Sequence, residues 1–159
     1  WMTVVLPLVL FLSHTGVVFG AAKPVPVDAF NFRDPKKDMA IVALAGPVTN
    51  LLIAVLFSLL LRIVPVFVLN DQLLEIIKSI FVNSILLNVV LALFNLFPIP
   101  PLDGSKVLAG LLPNSQAMEI YRLERFGFLL IFAILLLFPG ILYSYINPLE
   151  KIILSILLR

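Results

Sequence analysis

The sequence predicts an all-α polytopic membrane protein, with about four transmembrane or re-entrant helices and one extended linker segment. Three observations predict it. Of 159 residues, 62% are hydrophobic and only 13% are charged, against roughly 25% charged in a soluble domain. The mean hydropathy of +1.15 points the same way. The charges also leave four long gaps, at residues 39–61, 79–102, 126–149 and, with His14 as its single ionisable group, 2–22. Each gap matches the roughly 20 apolar residues that cross a bilayer. A soluble fold of this size cannot bury so much apolar surface, and disordered chains are poor in apolar residues. The length fits one membrane domain over residues 1–159.

The first span covers about residues 2–20, interrupted by Pro7, His14 and Gly16. It lacks the basic start and small-residue cleavage site of a signal peptide. Trp1 precedes Met2, which predicts that upstream sequence is missing, the alternative being a true start at Met2. Residues 21–38 form an extended polar linker. Its Lys23-Pro24-Val25-Pro26-Val27 run forces extended or polyproline backbone and allows at most an edge strand.

The second span runs from about 39 to 61. Ala43, Gly46, Asn50, Ala54 and Ser58 recur every three or four residues, a small-residue face that lets helices approach closely. Gly46-Pro47 predicts a kink or a break there. A turn at 70–72 leads to the third span, about 74–97, with Ser84, Asn88 and Asn95 on one face. Asn50 and Asn88 read most simply as helix–helix hydrogen bonds. The third span must stop near Phe97, because Pro98, Pro100 and Pro101 follow.

Residues 98–125 form a motif loop and a short amphipathic segment. The fourth span, 126–146, carries Pro139-Gly140 near its middle. An apolar tail, 149–159, predicts a short interfacial helix. Seven Lys and Arg lie on the first-to-second and third-to-fourth linkers, against four elsewhere, which favours a cytoplasmic side for both linkers. The dispersed basic residues and a net charge of +2 exclude a nucleic-acid partner. The absence of cysteine excludes disulfides and thiolate metal sites.

Asp103 is the most informative residue. A carboxylate at bilayer depth costs roughly 2.5–3.5 kcal/mol, so it sits there for a partner, an ion or a proton. Alternatively it caps a helix starting at Gly104 or Ser105. Asn95 can hold a peptide group or a water. A Ser105–His14 pair lacks the nucleophile elbow, and adjacent Ser105 and Lys106 point in different directions on a helix. An aspartyl pair would need a second intramembrane carboxylate. His14 is the only histidine, and a catalytic zinc needs three protein ligands, so the chain alone cannot assemble a His-His-Asp site. As a lone histidine, His14 reads as a neutral packed residue.

Asn95-Leu96-Phe97-Pro98-Ile99-Pro100-Pro101-Leu102-Asp103-Gly104 resembles the N-x-x-P-x-x-P-x-D-G signature of site-2 proteases, the M50 peptidases. Gly46-Pro47-Val48-Thr49-Asn50 resembles the G-P-x-x-N motif of the compact branch without a PDZ domain. Residues 22–27 and 31–35 resemble that branch's linker. The resemblance implies an intramembrane zinc endopeptidase cutting transmembrane-helix substrates, in a prokaryotic cytoplasmic membrane. It implies that Asp103 is a zinc ligand and Asn95 the active-site asparagine. Gly46, Pro47, Asn50, Pro98, Pro101 and Gly104 are its structural motif positions. An extended edge at Lys23, Val25 and Val27 would receive unwound substrate as an added strand. The family's H-E-x-x-H motif is absent from these residues. The chain therefore reads as the C-terminal part of such a protease, with an incomplete Zn2+ site and no activity by itself. The alternatives are an inactive homologue that binds transmembrane helices, and a small channel or transporter subunit using Asn50, Asn88, Asn95 and Asp103 as a polar path.

Overall fold

The computed structural model describes residues 32–159, and Arg33–Arg159 make one compact unit. The first span, His14, and the Lys23, Val25 and Val27 edge lie outside the described residues.

Helix α1 spans Pro35–Phe67. Its start is over-determined by short-range chemistry. Asp34 is the N-cap and accepts from the Lys37 amide at 3.3 Å. Asp38 reaches back to accept from the Arg33 and Asp34 amides at 2.9 and 3.1 Å. Pro35 occupies the first turn, where its missing N–H costs nothing. The predicted linker therefore ends at Asp34 rather than at 38, because this cap pulls residues 35–38 into the helix. The helix is about 50 Å long at the usual rise and runs unbroken through Gly46-Pro47 and Pro65. The predicted break at Gly46-Pro47 is absent, since the helix is continuous there. Ala43, Pro47, Ala54 and Ser58 are its buried residues; Ala43, Ala54 and Ser58 belong to the small-residue face read from the spacing, whereas Gly46 is exposed and Asn50 half-buried.

A short turn carries the chain into α2, Asp71–Asn95. Asn70 caps it, accepting from the Leu73 amide at 2.9 Å. The two helices pack antiparallel. Phe57 meets Phe81 with ring centroids 5.3 Å apart, and Ala54 packs with Ile85, Val89 and Leu93 in a fully buried core. Each of the two helices is long and apolar enough to cross a membrane.

After α2 the chain folds through a proline-rich loop with a cis Pro100–Pro101 bond. Helix α3 follows at Asp103–Leu111 and α4 at Asn114–Glu124. The predicted amphipathic stretch is thus two helices, divided at Leu112-Pro113. Helix α3 lies antiparallel along the first half of α1. At one end Asp103 faces Gly46, and at the other Gly110 approaches Ala40. The Lys36 ammonium closes that second end by donating to the Leu112 carbonyl and to Asn114 Oδ1.

The predicted fourth span is two helices, α5 at Gly127–Leu137 and α6 at Pro139–Leu157. They meet at 89°, because Phe138 takes a non-helical conformation at the proline. If this bent pair counts as one element, three elements among the described residues are long and apolar enough to cross a membrane, otherwise two. The tail is not a separate interfacial helix but continues α6 to Leu157. Ile146, Ile153, Leu154 and Leu157 of α6 pack on the α1–α2 core, and the Ser58 hydroxyl donates to the Leu157 carbonyl. The described residues are all-helical, without strands.

Candidate functional site

Three elements converge where the proline loop ends. Helix α2 stops at Asn95, and the loop turns back through short hydrogen bonds, from the Ile99 amide to the Phe97 carbonyl at 2.8 Å and the Leu102 amide to the Ile99 carbonyl at 3.0 Å. This return lays Gly104 on the end of α2. A β-carbon on Gly104 would lie 2.1 Å from the Leu96 carbonyl oxygen and 2.6 Å from that of Phe97. Only glycine fits there. The contact brings the residue after Asn95 against the residue after Asp103, so two positions eight apart in sequence meet across the prolines.

The third element is α1. A β-carbon on Gly46 would lie 3.3 Å from Asp103 Oδ2. The Asp103 carboxylate is therefore held against the one position of that turn that has no side chain. Pro47, next to it, is fully buried, and Asn50, half-buried, lies one turn further along.

Asp103 does not cap α3. Leu102 is the N-cap, and no side chain closes the first turn. The capping alternative is thereby overturned: Asp103 is already the first residue of the helix, and its carboxylate accepts no bond from the first-turn amides. Burial raises the Asp103 carboxyl above the usual carboxylate range, partly offset by the charge of Lys106.

The other candidates resolve differently. Ser105 is buried, and its hydroxyl donates to the Leu102 carbonyl at 2.7 Å, so it is a loop support and not a nucleophile. Lys106 pairs with Glu124 at 3.4 Å and cannot serve Ser105. Asn88 donates to the Ser84 carbonyl of its own helix at 2.8 Å, so the helix–helix bond expected for it is replaced by an intrahelical one. Asn95 is half-buried at the end of α2, while Pro98 and Pro101 are exposed on the loop.

Two supports of the loop escaped the sequence reading. A β-carbon on Gly127 would lie 2.7–2.9 Å from atoms of Pro101, so the start of α5 is seated on the loop. Phe97 packs edge-on against Tyr145 of α6 at 5.1 Å. Behind them lies a narrow apolar crevice of about 10 Å³ between Phe97, Leu102 and Ile131. No sequence spacing links these residues. The signals available were a glycine opening an apolar run and an aromatic beside a proline cluster.

The family model of peptidase family M50 matches residues 62–138, a stretch that contains Asn95, the proline loop, Asp103 and Gly104. Over that stretch, just under half of its length, the chain resembles peptidase family M50. Among M50-like relatives, it is 35% identical over 132 residues to "Putative zinc metalloprotease YwhC" of Bacillus subtilis, covering 80% of this chain and 58% of that protein. It is 35% identical over 94 residues to "Putative zinc metalloprotease MJ0611" of Methanocaldococcus jannaschii, covering 58% of this chain and 46% of that protein. The chain thus spans about half the length of these relatives. No solved structure matches it.

A zinc ion takes carboxylate oxygen, imidazole or thiolate, usually from three protein ligands in a catalytic site. Asp103 suits one of these places: its carboxylate is partly buried and faces a glycine. No group of three such donors occurs among the described residues.

Proposed function

We propose that this chain carries the aspartate ligand and the asparagine of an intramembrane zinc endopeptidase that cuts peptide bonds in or near transmembrane helices. The observation that carries this reading is the placement of Asp103, with its carboxylate set against Gly46 of a spanning helix and its loop packed on the end that bears Asn95. Zinc bound there would polarise a scissile carbonyl and supply an activated water. The chain's own part is to fix the Asp103 carboxylate and to carry Asn95 at the helix end on which that loop packs, from where its carboxamide would orient a peptide group. The proline-broken end of α2 supports this, since irregular backbone at membrane depth is tolerated only against protein or a wet cavity.

On this reading the two histidines belong to an H-E-x-x-H helix outside these 159 residues. The Lys23, Val25 and Val27 edge receives the unwound substrate, and the Asp103 loop faces the cytoplasm. In a protein that includes that helix, Asp103→Ala abolishes zinc retention and cleavage. Full cleavage by that variant overturns the assignment. The lone histidine favours one second reading, an inactive homologue that holds transmembrane helices. In-frame sequence without H-E-x-x-H would establish it.

A further inference from the structure

Four acid–base pairs stand three residues apart within the described residues: Asp34 and Lys37, Glu75 and Lys78, Asp103 and Lys106, Glu119 and Arg122. This spacing brings side chains together on a helix. Three of the four close as ion pairs, at 3.3, 2.9 and 2.8 Å. The fourth stays open. Lys106 turns from Asp103 and pairs with Glu124 at the end of α4, at 3.4 Å. The exception falls on the one carboxylate that lies in the candidate site.

We propose that Glu124 is a positioning residue that draws Lys106 away from Asp103 and so keeps the Asp103 carboxylate open to a divalent cation. The proposal rests on the reading of Asp103 as a metal ligand. A lysine ammonium is a compact point charge on a flexible stem, and here it sits one turn from Asp103. Without a competing carboxylate it takes the nearest one. A closed Asp103–Lys106 pair would neutralise the ligand and occupy its oxygen. Glu124 is well placed to prevent this. Three residues later Gly127 is seated on Pro101, so the segment that holds Lys106 is itself fixed to the loop that presents Asp103.

The test uses the protein that includes its H-E-x-x-H helix, purified in detergent, with zinc content read against a chelator series and Co2+ absorption as a second signal. Glu124→Gln is expected to lower zinc affinity about tenfold or more, the usual effect of removing an outer-shell partner. Lys106→Met keeps wild-type affinity, and the double variant regains it. Glu124→Asp, which keeps the charge with a shorter reach, gives an intermediate affinity and serves if Glu124→Gln does not fold. If Lys106→Met loses as much zinc as Glu124→Gln and the double variant shows no rescue, the pair is only a tether between α3 and α4, and the proposal is overturned. Wild-type affinity in Glu124→Gln overturns it too, provided Asp103→Asn has lost zinc. Zinc retained by Asp103→Asn would instead defeat the metal-ligand reading itself.

Discussion

Gly46 of α1 and Asp103 of α3 meet so closely that a β-carbon at position 46 would stand 3.3 Å from the carboxylate Oδ2. An alanine there asks the carboxylate to give by a few tenths of an ångström, and a larger side chain displaces it. Helix stability moves the other way, since alanine is better than glycine by about 1 kcal/mol in a helix interior. Gly46→Ala should therefore leave thermal stability unchanged or raised while lowering zinc retention in the complete protein. Gly46→Leu should lower retention about tenfold further, on the scale of outer-shell losses. Equal retention in wild type, Gly46→Ala and Gly46→Leu would show that the contact places no constraint on Asp103.

Gly104 presents the harder steric limit. Its virtual β-carbon overlaps backbone atoms of Leu96 and Phe97, which cannot swing aside as a side-chain end can. Gly104→Ala must push the start of α3 off the end of α2. We expect about 3 kcal/mol of destabilisation, at the upper end for overpacked sites, read as a lower unfolding midpoint in detergent. A midpoint within one degree or so of wild type would mean that the loop relaxes freely, and the proposed rigidity of the Asn95–Asp103 juxtaposition would fail with it.

How much of this was legible in the sequence varies with the range of the interaction. The buried face of α1 followed from the spacing of Ala43, Ala54 and Ser58, because helical period and side-chain size are local properties. The end of α2 followed from Pro98. Asp103 stood out because a lone carboxylate beside an apolar run is costly. What was not legible is tertiary. Whether Asp103 caps α3 depends on one backbone conformation at the loop exit, set by packing on Leu96. The break of the fourth span was signalled by Pro139-Gly140, yet the same signal at Gly46-Pro47 leaves α1 continuous. Burial does not decide it, since α1 passes through the buried Pro47 and the exposed Pro65 alike. The choice of Lys106 for Glu124 over Asp103 likewise needs the fold, because spacing alone favours the nearer acid.

The α1–α2 core offers a contrast between two faces of one helix. Ile85 is fully buried against Ala54, while Leu87 is 59% exposed. Lipid is as apolar as a side chain, so in a membrane the packing contacts and not the transfer from water hold helices together. Ile85→Ala should cost about 2 kcal/mol, the low end for buried truncations. Leu87→Ala should stay within about 0.5 kcal/mol, as for surface changes generally. Unfolding titrations in mixed micelles measure both. Equal effects would mean that Ile85 is not packed as described.

The N-terminal cap of α1 carries a pH dependence. The Lys37 amide bonds to the Asp34 carboxylate, and the Lys37 ammonium stands beside it, 3.3 Å away; against a smaller opposing effect of burial, these hold its carboxyl below the usual aspartate value. A carboxyl depressed in the folded state stabilises that state above its unfolded value, about 3.9 for aspartate. The contribution is lost as the pH falls through the lower folded value. Asp34→Asn keeps a capping oxygen but has no proton to gain. Its thermal midpoint should therefore fall less than that of wild type between pH 5 and pH 3, with the two curves separated at neutral pH by the lost charge interaction. Salt should narrow that separation, because the pair is exposed and screened. Parallel midpoint curves for the two proteins across this pH range would show that the Asp34 charge does not contribute to holding the start of α1.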